Sequence, residues 1–284
     1  MLCSPRVSVD SGGSLLRPEA QNIPADAKGK LARFLTKVSC ASSRALLLDY
    51  DAIVDSTGTH CDQATPYPKV LEMLDQVRGV TGTRLIVVTG RRASHVAQLV
   101  GLPRIEVWGC YGLERLHVDG TCEIPQLNVT TLSMLATVDE LLVREGLAQL
   151  IEYKPAAAVI HWAGLEPDAA RTVMHKVQTV WSLLPDTRGL RLLRFNGGME
   201  ISTVERNKGD VVRVIVSELG KGASIAYLGN DLTDEDAFAA LQGYGLSVLA
   251  RPSYRPTLAD IWLRPPEGVV EFLTDWVNAC VGAL

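Results

Sequence analysis

Carboxylates, hydroxyls and one lysine stand at four places where an apolar run meets turn residues. Asp49-Tyr50-Asp51 closes the run 45–48, and Thr89-Gly90-Arg91 closes 85–88. Lys208-Gly209 opens a segment of helical period, and Gly229-Asn230-Asp231-Leu232-Thr233-Asp234-Glu235-Asp236 closes 225–228. Each suits one part of a site for a metal-bound phosphate. Two aspartates two residues apart bring two carboxylates to the end of one apolar run, able to converge on one point. A Thr-Gly turn offers a hydroxyl and backbone N–H groups to an anion, with the dipole of the helix that follows adding to the attraction. A lysine at a helix start opposes that dipole unless it faces an anion, and an acidic cluster supplies the hard oxygen ligands of Mg²⁺. Taken singly, each also has a plain structural reading. Asp is a common turn former after a strand, Thr-Gly an ordinary turn beside a solvated Arg91-Arg92 pair, Lys208 a surface lysine, and Thr233 or Asp234 a helix N-cap.

The elements that must position these groups alternate between strand and helix. The pattern predicts strand at 45–48, helix at 69–77, strand at 84–88 and helix at 93–100, which are β-α-β units of a buried parallel sheet. Open sheets of that kind place their sites at the C-terminal ends of the strands. The rhythm breaks after 105–109. A hairpin around Asp119-Gly120, a helix at 130–144, a β-rich stretch at 151–162 and a helix at 167–184 follow, then paired strands at 190–195 and 199–204 joined by Asn196-Gly197-Gly198. Alternation resumes with a helix at 208–219, a strand at 224–228, a helix at 234–241, and one short strand and helix to finish. The expectation is an α/β, Rossmann-like core of 41–114 and 205–284 carrying an inserted α+β cap, 115–204. Residues 1–40, rich in Ser, Gly, Pro and Ala, read as a poorly specified leader with a short helical pattern at 30–37.

Composition narrows the function classes. The 284 residues are 47% hydrophobic and carry a net charge of −4 without long runs of either sign, which argues against nucleic-acid coating or a polybasic membrane contact. Apolar runs are far shorter than the roughly 20 residues of a membrane helix, and the N-terminus lacks a secretory apolar region, so a cytoplasmic address is expected. Six cysteines without a Cys-x-x-Cys pair read as free thiols.

Together the four motifs resemble those of the haloacid dehalogenase superfamily, and more narrowly the trehalose-6-phosphate phosphatases. The specific carriers are Tyr227-Leu228-Gly229-Asn230-Asp231-Leu232-Thr233-Asp234-Glu235-Asp236-Ala237-Phe238, and Glu152-x-Lys154 followed by His161. Met199-Glu200-Ile201 ahead of Lys208-Gly209, Gly109-Cys110-Tyr111-Gly112-Leu113-Glu114, and the tail from Arg255-Pro256 to Pro265-Pro266 add to it. The likeness runs from Arg44 nearly to the end, and implies a haloacid dehalogenase core with a C2-type cap. It implies that Asp49 is a nucleophile and Asp51 an acid/base, and that Thr89, Gly90, Arg91 and Lys208 bind phosphate. Asp49, Asp51, Asn230, Asp231 and Asp234 would hold Mg²⁺, with a second-row role open to Asp234, and Glu152, Lys154, His161 and Glu200 would bind sugar hydroxyls. The implied reaction is Mg²⁺-dependent dephosphorylation of trehalose 6-phosphate to trehalose through an aspartyl-phosphate. The alternatives are a phosphatase for another sugar or glycosyl-glycerate phosphate, or a catalytically weakened sugar-phosphate-binding regulator of a trehalose-6-phosphate synthase partner. Ala52-Ile53 replace a Gly-Thr pair of that family, and Asn230 replaces an aspartate, which predicts weaker Mg²⁺ binding unless Asp231 or Asp234 compensates. Trp162-Ala163, Ser202 and Tyr111 stand where the family has arginines and a histidine, which predicts a cap thinned of cations.

Overall fold

A computed structural model describes residues 26–54, 64–80, 82–195, 197–220 and 222–282. The strand β1 (Arg44–Asp49) is buried along its whole length. Its alternate side chains serve two separate apolar clusters, as the two-residue period of a strand requires. Leu46 and Leu48 pack with Val38, Val70, Leu74 and Trp276 on one side, whereas Ala45 and Leu47 pack with Val211, Ile215, Tyr227 and Phe238 on the other. The first side is built by the helices α1 (Ala27–Cys40), α2 (Pro68–Gly79), α3 (Ala93–Val100) and α8 (Glu267–Val281), the second by α6 (Lys208–Leu219) and α7 (Glu235–Leu241).

Beside β1 lie β2 (Thr83–Val88) and β10 (Ser224–Gly229), both parallel to it. The sheet continues through β11 (Gly245–Ala250) to β12 (Ile261–Leu263) on one side. On the other it runs through β3 (Glu106–Gly109) and the antiparallel β4 (Glu114–Leu116) to β5 (Cys122–Glu123), giving eight strands in the order β12-β11-β10-β1-β2-β3-β4-β5. The hairpin expected at Asp119-Gly120 thus extends this large sheet, so the elements apart from it begin only at α4 (Val129–Arg144).

A second, antiparallel sheet has the order β6-β7-β9-β8, from β6 (Ile151–Lys154), β7 (Ala157–His161), β8 (Leu190–Phe195) and β9 (Gly198–Thr203). One of its faces is apolar. Ala158, Ile160, Met199 and Ile201 pack there on Val138 and Leu142 of α4 and on Val173, Val177 and Val180 of α5 (Pro167–Leu183).

Residues up to 40, read as a leader, include the packed helix α1, longer than the pattern at 30–37 suggests. Phe34, Leu35 and Val38 bury its inner face, and the Phe34 ring lies 5.9 Å from that of Trp276 in α8. Residues 1–25, with Cys3, lie outside the described residues, as do Cys61 and Asn196 of the β8–β9 turn. Among the described residues no helix is long and apolar enough to cross a membrane.

Candidate active site

Parallel pairing of β1 with β10, Leu48 opposite Leu228, makes Asp49 and the loop after Gly229 leave the sheet side by side. On the other flank Asp49 lies opposite Val88, so Thr89 emerges next to it. Lys208, first residue of α6, reaches into this edge. Its Nζ donates to Asp49 Oδ1 and to Asp234 Oδ1, each at 2.8 Å, and all three side chains are buried. Burial alone would lower the Lys208 pKa, but the carboxylates of Asp234 and Asp49 outweigh it and hold the ammonium well above the ordinary lysine value. Burial pushes the Asp49 carboxyl well above the usual carboxylate range, against the opposing pull of Lys208.

The sequence places Asp234 among the metal ligands, but its oxygens are taken. Oδ1 accepts from Lys208 and from Tyr227 Oη, and Oδ2 from the backbone N–H groups of Asn230 and Asp231 at 2.8 and 3.0 Å. Fully buried with these four bonds, it anchors Lys208 and the loop instead of facing a cation. The helix cap in this loop is Asp231 rather than Thr233 or Asp234, its Oδ1 accepting from Thr233 N and Oγ1 at 2.7 Å. Burial would raise the Asp231 carboxyl, but Lys208 and the Thr233 bonds bring it below the usual value.

Asp51 lies in the single helical turn Tyr50–Ala52. Arg91 Nη2 donates to its Oδ1 at 2.7 Å, and Arg91 also lies over the Tyr50 ring. Asn230 Nδ2 donates to the Asp51 carbonyl at 2.8 Å. Turning the amide over would set oxygen against oxygen, which fixes its orientation. Thr89 Oγ1 accepts from Arg91 N, closing the turn. Of the expected metal ligands, the donors open to a cation are therefore the lone pairs that these bonds leave on Asp49 and Asp231, the second lone pair of the Asp51 carbonyl, and the Asn230 amide oxygen. Among the described residues no three His, Cys, Asp or Glu side chains cluster closely enough to hold a metal by themselves. Two carboxylates, a carbonyl and an amide oxygen nevertheless suit Mg²⁺, which keeps several waters and binds substrate phosphate.

Opposite this edge lies the polar face of the second sheet. Pairing registers put Glu152, Val159 and Glu200 in one row across it, and Lys154, Ala157, Ser202 and Arg191 in the next. Lys154 Nζ donates to Glu200 Oε2 at 3.0 Å and to the Gly90 carbonyl at 3.2 Å, so Lys154 and Glu200 meet the Thr89-Gly90 turn. Arg92 Nη2 makes a second bridge between the sheets, to the Tyr153 carbonyl at 2.9 Å. Glu152 and His161 pair with each other at 2.9 Å instead, on a more exposed part of the face. The hydrogen bond with His161 holds the Glu152 carboxyl below its usual value. Beside Lys154 and Glu200 lies a cavity of about 10 Å³, bordered also by Tyr111, Arg191, Ser202 and Arg206 but not by Asp49, Thr89 or Lys208, room for one water.

Sequence reasoning assigned no role to three residues here, although Tyr111 and Glu114 lie in a motif that it singled out. Glu114 Oε2 accepts from Ala93 N at 2.7 Å and so caps α3 behind the Thr89-Gly90 turn; a glutamate 21 positions downstream carries no local capping signal. Arg191 and Tyr111 both border the cavity and stack on each other, the guanidinium 4.2 Å from the ring centroid. The cap expected to be thinned of cations thus receives one from β8, which only the strand register reveals.

The parallel sheet with its carboxylate-bearing edge and a second sheet set over it is the fold of the haloacid dehalogenase superfamily. A haloalkanoate (HAD) superfamily phosphatase from Bacteroides thetaiotaomicron superposes with a TM-score of 0.55 at 15% identity, covering 85% of this chain and 96% of that one. The trehalose-phosphatase family model matches residues 47–252, and the chain belongs to that family. It is 28% identical over 240 residues to the trehalose-phosphate phosphatase of Mycobacterium ulcerans, covering 80% of this chain and 60% of that protein. The chain thus spans about 60% of the length of such curated relatives. The C-terminal domain of Candida albicans trehalose-6-phosphate phosphatase superposes with a TM-score of 0.69 at 18% identity, covering 91% of this chain and 99% of that one.

Proposed function

We propose that this protein is a Mg²⁺-dependent phosphomonoester hydrolase that converts trehalose 6-phosphate to trehalose. The observation that carries the reading is the Lys208 ammonium held between Asp49 and Asp234 at the sheet edge, facing the polar side of the second sheet. In this reading residues 41–114 and 205–284 act as core, β4 and β5 extend the core sheet, and the cap expected at 115–204 starts only at α4. Thr89, Gly90 and Lys208 receive the phosphoryl oxygens, and Arg91 orients Asp51. The Asp49 oxygen not bound to Lys208 attacks phosphorus, the bond from phosphorus to the sugar oxygen breaks, and Asp51 in its acid form protonates the departing oxygen. Asp51, now a carboxylate, takes a proton from a water that attacks the aspartyl-phosphate, restoring Asp49 and releasing phosphate. Asp49 through the oxygen that does not attack, Asp231, the Asn230 amide oxygen and the Asp51 carbonyl would hold Mg²⁺, which when bound offsets the charge gathered on the phosphoryl group. Lys154 and Glu200, nearest the phosphate turn, bind sugar hydroxyls, with Glu152 and His161 further out.

The test is phosphate release from trehalose 6-phosphate by the purified chain, with and without Mg²⁺. Turnover that needs Mg²⁺ and falls at least about a thousandfold in Asp49→Asn supports the reading; a wild-type chain that binds this substrate without releasing phosphate rejects it. One observation favours a second reading, a sugar-phosphate-binding regulator of a synthase: Asn230 and Arg91 both hold Asp51. That reading predicts the binding-only outcome of the same assay.

A further inference from the structure

Arg191 is a long side chain whose direction is already fixed. Its Nε donates to Ser202 Oγ at 3.0 Å, directly across the β8–β9 pair. Its guanidinium lies on the Tyr111 ring, 4.2 Å from the centroid. Tyr111 is itself wedged. Its backbone φ is +59°, in the left-handed region, and its N–H donates to the Thr89 carbonyl. A Cβ at Gly90 would lie 2.6 Å from the ring, so glycine there is what lets the ring lie against the phosphate turn. The order outward from the turn is therefore Gly90, aromatic ring, guanidinium. The terminal amino groups of Arg191 make no hydrogen bond or ion pair to any described residue, and Arg191 borders the cavity together with Lys154 and Glu200.

We infer that Arg191 is a specificity-determining residue whose two amino groups receive hydroxyls of the leaving sugar. The inference rests on the phosphatase reading above. With the phosphoryl group taken up at Thr89, Gly90 and Lys208, the Tyr111 ring separates Arg191 from it, so the guanidinium meets the alcohol portion of the ester. A guanidinium already held flat loses less freedom per bond formed than a mobile lysine, and its planar fork suits a pair of neighbouring oxygens. The contact is the same before and after the phosphoryl group moves. It is uniform binding, felt in KM more than in kcat.

Steady-state kinetics on trehalose 6-phosphate test this with Arg191→Met, Arg191→Lys and the cross-strand exchange Arg191→Ser with Ser202→Arg. Arg191→Met is expected to raise KM about tenfold, equal to about 1.4 kcal/mol, while kcat changes less than about threefold. Arg191→Lys recovers part of the loss, and the exchange, which puts the guanidinium on the neighbouring strand of the same face, recovers most of it. An unchanged KM in Arg191→Met overturns the inference. Should that variant not fold, a wild-type KM in Arg191→Lys overturns it equally. If the wild-type chain releases no phosphate, the phosphatase reading alone falls. Calorimetry with trehalose 6-phosphate then decides Arg191, weaker binding to Arg191→Met supporting its role and equal binding overturning it.

Discussion

At the scale of single residues, the site is a set of charges that hold one another in place. Replacing Lys208 by Met would leave the buried carboxylates of Asp49 and Asp234 facing each other, a loss of about 3 kcal/mol or more of stability in denaturant titration. A stability within about 1 kcal/mol of wild type would mean that the ammonium is not what reconciles them. Asn230 supplies a sharper test. Asn230→Asp replaces the donor to the Asp51 carbonyl by a carboxylate that only a cation between the two can reconcile. The variant is expected to melt below wild type without Mg²⁺ and to gain more from added Mg²⁺, with affinity tighter by about tenfold; an equal response to Mg²⁺ would contradict this. Asp49 and Lys208 were legible in the sequence because an apolar run ends at one and a helix begins at the other. For Asp234 a second-row role was legible but its partners were not, since they are gathered from α6, β10 and the loop. Arg191 was illegible for a similar reason: Leu190-Arg191-Leu192-Leu193-Arg194 does not alternate cleanly, so its face follows only from pairing with Ser202.

At the scale of elements, local signals succeeded where both ends of a segment were marked. The helix read at 208–219 is α6, opened by a reciprocal cap between Asn207 and Asp210 and followed by Gly220 at positive φ. The end of the chain was less readable. One final strand was expected and two formed, β11 and the three-residue edge strand β12, too short to show a period. The helix α1 was under-read because what stabilises it is distant in sequence, namely the α8 surface and an ion pair from Lys30 to Asp260 at 2.8 Å. Burial would raise the Asp260 carboxyl, but Lys30 and the N–H and hydroxyl of Ser247 bring it below the usual value. A carboxyl lowered by folding contributes stability that is present above its unfolded pKa of about 3.9 and lost as pH falls through the lower folded value. Asp260→Asn should therefore cost about 1 kcal/mol at neutral pH and flatten the stability profile below about pH 4. A variant with the wild-type slope there would place the acid sensitivity elsewhere.

At the scale of the whole molecule, two hydrogen bonds among the described residues join the sheets next to the candidate site, from Arg92 to the Tyr153 carbonyl and from Lys154 to the Gly90 carbonyl, beside the stacking of Arg191 on Tyr111. Removing the first in Arg92→Ala weakens the closed arrangement by about 1 kcal/mol, a fivefold shift toward separation. A larger radius of gyration in solution scattering is the expected sign, and an unchanged one would mean that other contacts keep the sheets together. The separation matters because Lys154 and Glu200 meet directly over the Gly90 turn and leave beside them a cavity of only about 10 Å³. Ligand pockets usually enclose roughly 300 Å³ or more. Under the proposed phosphatase reading, each turnover would then include a swing apart and a return, with solvent friction acting on the moving mass. Glycerol or sucrose added to thicken the medium would slow turnover in proportion wherever that swing sets the pace, and leave the bond-breaking step itself untouched.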